Sequence, residues 1–147
     1  MNNLKQIQMK VKIKKLYDDA ILPTKAHATD AGWDLYAHSM KFDNDNNIVY
    51  CTGMAFEIPQ GYVGLLFPRS SNAKKDLILS NSVGVLDSGY RGEVLFKFKF
   101  YHDGKWYKVG DRIGQLIIMP YPEIEFEVVE ELSDTDRGTG GYGSTGE

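Results

Sequence analysis

Short runs in which apolar and polar residues alternate are the feature of this sequence that most restricts its fold. These runs lie at 11–16, 63–67, 93–100 and 123–129. A period of two places successive side chains on opposite faces of a strand, so each run predicts a β-strand. Turn-forming residues separate the runs at 43–47, 59–61, 87–89 and 102–104. Because this spacing leaves no room for a long helix, the pattern predicts an all-β domain, either a sandwich or a barrel.

One helical signal stands out at 71–76, where a serine precedes Asn-Ala-Lys-Lys-Asp. Ser71 could cap a single helical turn there, and a loop is an equally good interpretation. A chain of 147 residues with 42% hydrophobic residues is long enough for one core and too short for two comfortable domains. We therefore expect a single domain.

The charge balance argues against a nucleic-acid partner, since the net charge is only −3. The N-terminal residues contain no apolar run resembling a signal peptide, and no other stretch approaches membrane-spanning length. We expect no membrane partner and a cytoplasmic location, or the interior of a host cell if the source is viral. The single cysteine, Cys51, is expected to be a half-buried thiol in a strand, and His27, His38 and His102 lack metal-ligand spacing.

The end of the chain changes character after residue 132. Residues 123–131 are acidic on one face and apolar on the other, so a strand there needs an outside surface to bury Phe126 and Val128. The last ten residues contain five glycines, a composition typical of disorder. Arg137, Tyr142 and the backbone amides of small residues nevertheless suit a clamp for phosphate and base. The sequence predicts a β domain at 1–132, including a C-terminal strand, and a flexible glycine-rich lid at 133–147.

Two familiar glycine motifs are excluded. Residues 138–143 formally match the dinucleotide fingerprint, but a true fingerprint opens a helix and has an acidic residue roughly 20 positions downstream. Only four residues follow Gly143. No glycine loop is followed by the lysine of a Walker A motif either.

Residues 67–72 place an arginine and two serines directly after a strand that Pro68 should end. Arg69 offers a planar fork to phosphate oxygens, and Ser70 and Ser71 add neutral donors. A solvated turn is the alternative interpretation of this segment.

Residues 81–92 fix a carboxylate beside an aromatic ring. Asp87 ends an apolar strand at a Ser-Gly turn, and Tyr90 follows. A plain hairpin tip would explain the turn. If Val85 and Leu86 partly shield the carboxylate, Asp87 is a reasonable general base, and Tyr90 offers a flat platform for a sugar ring.

Two further polar residues stand in apolar surroundings. Asp34 follows Gly32 in an aromatic segment, and a buried aspartate usually has a basic side chain or a hydrated metal as its partner. Gln115 lies with Arg112 on what is otherwise a core strand.

The combination and order of five segments resemble the five ordered motifs of the trimeric dUTPase family. The matching segments are 31–35, 68–71, 84–93, 112–117 and 137–146. The sequence departs from the usual family pattern at Ser71, Gly89 and Tyr142, where glycine, an acidic residue and phenylalanine are common.

The resemblance implies a jelly-roll-like β fold assembled as a homotrimer, with active sites at subunit interfaces and the C-terminal arm of one subunit reaching over another. It also implies hydrolysis of dUTP to dUMP and pyrophosphate with Mg²⁺. This reaction clears dUTP from the nucleotide pool and supplies dUMP for dTMP synthesis.

By the same resemblance, Asp87 activates a water for attack on the α-phosphorus and Tyr90 lies under the deoxyribose. Asn81 and the hairpin backbone, including Val85 and Leu86, hold the uracil, and Tyr142 stacks on it. The triphosphate would be bound by Arg69, Ser70, Ser71, Arg137, Gly143 and Ser144. Asp34 would reach the Mg²⁺ through water, with Gln115 near the same waters.

Three other functions fit parts of the pattern. A dCTP deaminase-like enzyme could share the fold, but it would need a glutamate at the base, and the hairpin supplies none before Asp87. A regulatory protein on this fold could sense the nucleotide without turnover. A carbohydrate-binding or structural β-sandwich would leave Arg137 and Tyr142 without a role.

Overall fold

The computed structural model describes residues 8–102 and 104–146. Within these ranges the chain forms ten β-strands and one short 3-10 helix, Ser70–Lys74. The strands are β1 (Lys12–Lys15), β2 (Trp33–Tyr36), β3 (Ser39–Phe42), β4 (Asn47–Cys51), β5 (Met54–Glu57), β6 (Tyr62–Phe67), β7 (Leu77–Leu79), β8 (Gly84–Leu86), β9 (Leu95–Phe100) and β10 (Arg112–Pro120). The predicted all-β class is confirmed, and the runs at 11–16, 63–67 and 93–100 correspond to β1, β6 and β9.

Two four-stranded antiparallel sheets enclose the core. Their strand orders are β2-β10-β6-β8 and β3-β4-β9-β7, while β1 and β5 form a separate pair. One continuous cluster of buried side chains takes members from both four-stranded sheets, including Leu66 and Ile113 from the first and Tyr50 and Phe98 from the second. The strands therefore form a sandwich, which is one of the two architectures that the alternation predicted.

β10 is an inner strand of the first sheet and pairs with β2 on one side and with β6 on the other. Gln115 is opposite Asp34 on β2 and opposite Phe67 on β6. Gly114 allows the strand to approach the second sheet, because a Cβ atom there would lie 2.1 Å from the Phe96 ring. This close packing fixes the position of Gln115.

The helical signal and the cysteine differ in detail from the predictions. The chain does form a single short helix, but it begins at Ser70, and Arg69 precedes it without a side-chain cap. The cap predicted for Ser71 is therefore wrong. Cys51 lies in β4 as predicted, and it is buried rather than half-buried.

The strand predicted at 123–129 is not formed within the described part of the single chain. The side chains of Phe126 and Val128 are 91% and 97% exposed, so nothing in the described part of this chain covers them. Residues 1–7 of the predicted β domain, residue 103 of the predicted turn and residue 147 of the predicted lid lie outside the described residues. Across the described ranges, no helix is both long and apolar enough to cross a membrane.

Candidate active site

A pocket of about 240 Å³ lies against β8, at the edge of the first sheet. We call it the hairpin pocket; its lining includes Asn81, Val85, Leu86, Asp87 and Tyr90. Gly84 allows β8 to lie close to β6, since a Cβ atom there would be 2.9 Å from that of Leu66. Alternate backbone groups of an edge strand point away from its neighbour and can pair with a ligand. The pocket thus combines a rigid backbone edge with a carboxylate and an aromatic ring.

Asp87 is held by the turn that the sequence predicted. The backbone N–H of Tyr90 donates to the Asp87 carbonyl at 3.0 Å, which closes the turn directly after β8. Arg91 braces the same turn, because its Nη1 donates to the Ser88 carbonyl at 2.6 Å and its Nη2 to Glu57 Oε1 at 3.2 Å. A hydrogen bond from Lys12 is the main cause that holds the pKa of Glu57 below its ordinary value.

The shielding predicted for Asp87 is only partly present. Leu86 is buried, but Val85 is 61% exposed because successive side chains of a strand point to opposite faces of the sheet. Asp87 itself is exposed in the single chain. Any stronger shielding of this carboxylate must come from the substrate or from another chain.

The Tyr90 ring folds back over Gly92. A Cβ atom on Gly92 would lie 2.4 Å from the Tyr90 hydroxyl oxygen and 2.5 Å from the ring carbon that carries it. The hydroxyl donates to the Glu93 carbonyl at 3.0 Å. The ring is therefore held at both its base and its tip, as a platform requires.

A second group of polar residues, which we call the arginine cluster, surrounds Asp34. Arg69 Nε donates to Asp34 Oδ1 at 2.9 Å, and Arg112 Nη1 lies 3.8 Å from Oδ2. The Asp34 side chain is only 15% exposed. Of the two partners that the sequence allowed for a buried aspartate, the structure supplies basic side chains.

The remaining members of the arginine cluster are serines and Gln115. Arg69 Nη1 donates to Ser71 Oγ at 3.3 Å, and Ser70 is exposed at the start of the 3-10 helix. Gln115 Nε2 donates to the Pro68 carbonyl at 3.3 Å. Gln115, the polar residue in the apolar part of β10, therefore supports the backbone directly before Arg69.

The hairpin pocket and the arginine cluster lie apart within one chain. Leu86, the residue before Asp87, is opposite Gly64 on β6, whereas Arg69 is five residues further along the same strand and its extension. Arg69 keeps an extended backbone. At about 3.3 Å per residue, roughly 16 Å separates the two positions.

The tail residues lie in neither group. Arg137, Tyr142, Gly143 and Ser144 line a depression formed by the tail itself. Arg137 Nε donates to the Gly140 carbonyl at 2.9 Å, and the Tyr142 side chain is fully exposed. The structure of the single chain does not bring these predicted ligands to the hairpin pocket.

Glu93 is a pocket residue for which the sequence indicated no role. It lines the hairpin pocket, and its Oε1 accepts a hydrogen bond at 2.8 Å from the Gly53 backbone N–H. Its position at the end of the third motif could have indicated a role in the site. Its hydrogen-bond partner, Gly53, is 40 residues earlier in the chain, so the sequence does not indicate that contact. The deaminase alternative called for a glutamate at the base, and this one is already committed to the backbone.

The described residues contain no group of three or more His, Cys, Asp and Glu side chains that could hold a metal ion. His27 and His38 instead pair with Asp30 and Asp19. The hydrogen bond from His38 is the main cause that lowers the pKa of Asp19. A metal cage made by these residues alone is therefore not present in the described ranges.

The chain is similar to known proteins over most of its length. The dUTPase family model matches residues 18–146. A deoxyuridine 5'-triphosphate nucleotidohydrolase of Clostridioides difficile is 41% identical over 141 residues, which are 92% of this chain and 97% of that protein.

Two phage enzymes show the likeness in three dimensions. The dUTPase of Staphylococcus bacteriophage 80alpha, solved with dUPNHPP, superposes with a TM-score of 0.83 at 29% identity and covers 95% of this chain and 100% of its own. A point-mutant dUTPase of phage phi11 of S. aureus, described as coordinating a structural Mg(II) ion, has a TM-score of 0.69 at 27% identity and covers 84% and 98%. The chain therefore belongs to the dUTPase family.

Proposed function

We propose that this dUTPase hydrolyses dUTP to dUMP and pyrophosphate with Asp87 as the general base. The convergence of Asn81, Asp87 and Tyr90 in one pocket is the observation that carries the proposal. The Asp87 carboxylate takes a proton from a water molecule, and the water oxygen bonds to the α-phosphorus. The bond from that phosphorus to the bridging oxygen breaks, and pyrophosphate leaves. The reaction clears dUTP from the nucleotide pool and provides dUMP for dTMP synthesis.

The base and sugar are recognised in the hairpin pocket. Asn81 and the open backbone edge at Val85 and Leu86 pair with the uracil. Tyr90 lies against the deoxyribose and leaves no space for a 2'-hydroxyl. Rejection of cytosine rests on mismatched buried donors and acceptors, which can discriminate by roughly 10⁴-fold. The tight β6–β8 packing at Gly84 supports such a rigid edge.

The triphosphate is bound by the arginine cluster and the tail. Arg69, Ser70 and Ser71 offer donors at the end of β6, and Arg137, Gly143 and Ser144 close over the phosphates while Tyr142 stacks on the uracil. In phosphoryl transfer the protein mainly positions groups and stabilises charge. Arg69 is already oriented by Asp34, which reduces the ordering required on binding.

Magnesium fits this site as an ion brought by the nucleotide. The described residues form no carboxylate cage, and a metal held by phosphate oxygens needs none. Asp34 would accept hydrogen bonds from the hydration water of the ion, with Gln115 close by, and its loose 3.8 Å contact to Arg112 leaves Oδ2 able to do so. When bound, Mg²⁺ neutralises charge on the phosphate oxygens.

The active site is completed by assembly into a homotrimer. Asp87 and Arg69 of one chain are too far apart to serve the same α-phosphorus and its neighbouring phosphates, so a second chain must bring one of them. Phe126 and Val128 are exposed in an arm that has no partner strand in the described part of its own chain. An arm exchanged between subunits would bury these side chains and carry the lid over a neighbour's site.

The test is pyrophosphate release from dUTP, dCTP, dTTP and UTP with Mg²⁺. We expect rapid turnover of dUTP alone and a loss of about 100- to 10,000-fold in kcat for Asp87→Asn, with dUTP binding retained. Asp18→Asn, which changes an exposed aspartate outside both groups, is the matched control and should remain active. Binding of dUTP without turnover by the wild type would favour the sensing protein, and ammonia release from dCTP would favour the deaminase.

A further inference from the structure

Glu93 directs a carboxylate oxygen into a backbone turn. It lines the hairpin pocket, yet its Oε1 accepts the Gly53 N–H at 2.8 Å. Gly53 lies between β4 and β5, is buried, and has a φ of +69° that favours glycine. A buried N–H left without an acceptor is costly, so this bond fixes Glu93 to the turn.

The surrounding junction is buried and joined by several hydrogen bonds. The backbone N–H and the hydroxyl of Thr52 both donate to the Val94 carbonyl, at 3.2 and 2.7 Å. The Val94 N–H donates in turn to the Met54 carbonyl at 2.8 Å. Thr52 and Val94 are each 1% exposed. Val94 is thus attached to the β4–β5 turn through its backbone and the Thr52 hydroxyl, and Glu93 is attached to it through its side chain.

Glu93 and its neighbour Gly92 support the Tyr90 ring. Tyr90 donates its hydroxyl hydrogen bond to the carbonyl of Glu93 at 3.0 Å, and its ring lies over Gly92. A shift of the Glu93 backbone would therefore tilt or lift the ring. Tyr90 is 47% exposed, so the described part of this chain does little else to limit such a movement.

We propose that Glu93 is a positioning residue for sugar selection. Its carboxylate anchors the Tyr90 platform to the β4–β5 turn and so sets the space available at the 2' position of the nucleotide. The inference rests on the proposed role of Tyr90 as the deoxyribose platform. It assigns Glu93 neither a contact with substrate nor a proton-transfer step.

The experiment compares kcat/KM for dUTP with kcat/KM for UTP. Glu93→Ala removes the acceptor and should lower the dUTP-to-UTP ratio by about tenfold, since the ribose hydroxyl is then less strictly excluded. Glu93→Gln keeps an acceptor oxygen at the same distance along the side chain and should restore the wild-type ratio. Glu93→Met, which keeps the side-chain length without the acceptor, should behave like the alanine variant and is the substitute if that variant does not fold.

Tyr50→Phe is the control for simple loss of stability. It removes a buried hydrogen bond from the hydroxyl of Tyr50, on the other sheet, to the Tyr107 carbonyl, so it should lower the melting temperature and leave the ratio unchanged. An unchanged ratio in both Glu93→Ala and Glu93→Met would overturn the proposal. A Gln variant as impaired as the Ala variant would also overturn it, because the charge would then matter rather than the acceptor.

Tyr90→Ala separates this proposal from the one on which it rests. If Tyr90→Ala leaves the ratio unchanged, the platform role of Tyr90 is wrong. If Tyr90→Ala lowers the ratio and the Glu93 variants do not, the platform stands and only the role of Glu93 is refuted.

Discussion

At the scale of single residues, Gly32 leaves space for the side-chain amide of Gln115 in the arginine cluster. A Cβ atom on Gly32 would lie 2.4 Å from Gln115 Oε1. Gly32→Ala should therefore push the amide away from the Pro68 carbonyl and loosen the backbone before Arg69. We expect a loss of about 1 kcal/mol in dUTP binding, a roughly fivefold rise in KM, with little change in melting temperature.

A double-mutant cycle checks this mechanism. Gln115→Ala removes the group that the new methyl would strike, so Gly32→Ala should have almost no further effect on KM in that background. Equal effects in the two backgrounds would contradict the mechanism. The sequence singled out Gln115 as an exception, but its contacts with Gly32 and Pro68 could not be predicted because they depend on the register of β10 with both neighbours.

At the scale of secondary structure, the alternation predicted β9, a strand with one solvent face. β9 alternates buried Phe96 and Phe98 with exposed Lys97 and Lys99, which is the pattern that period-two reasoning detects. β4 is buried along its whole length, so its sequence, Asn-Ile-Val-Tyr-Cys, shows no alternation. The shielding predicted for Asp87 was partly wrong because Val85 and Leu86 are neighbours in β8, so their side chains point to opposite faces and only that of Leu86 is buried.

At the β3–β4 hairpin, Asp43 should make the free energy of unfolding depend on pH. A hydrogen bond from the Asn47 side chain, and then those from the Asn47 and Asp45 backbones, hold the pKa of Asp43 well below its ordinary value. The folded chain thus keeps this carboxylate ionised at a pH where the unfolded chain protonates it. Its contribution to stability is complete above about pH 5 and is lost as the pH falls through about 4 and below.

Urea denaturation of Asp43→Ala at several pH values measures this contribution. The variant should be less stable than the wild type at neutral pH, and the difference should shrink as the pH falls below about 4. Asp45→Ala is the control, because the Asp45 carboxylate makes no hydrogen bond to the described residues. A difference that stays constant across the pH range would show that the hairpin does not depend on the ionised carboxylate.

At the scale of the whole molecule, the sheet order explains why motifs that are all present in one chain do not form one site. β6 carries the arginine cluster at its C-terminal end, and antiparallel pairing places the Asp87 end of β8 at the other. The tail residues that we propose as ligands lie apart from both groups. The motifs could be found in the sequence in their correct order. The distance between Asp87 and Arg69 could not be predicted, because it depends on how β6 pairs with β8 and no single motif specifies that pairing.

This separation leads to a complementation experiment with two variants that should each be inactive. Asp87→Asn chains keep a working arginine cluster, and Arg69→Ala chains keep a working hairpin pocket. If each site takes these parts from different subunits, random mixing of equal amounts should restore about a quarter of the wild-type activity, because half of the chains can supply each part. Mixing should be done by joint unfolding and refolding, with each variant refolded alone as the control. Mixed samples that stay as inactive as the separate variants would place Asp87 and Arg69 of one chain in one site, and the proposed assembly would be wrong.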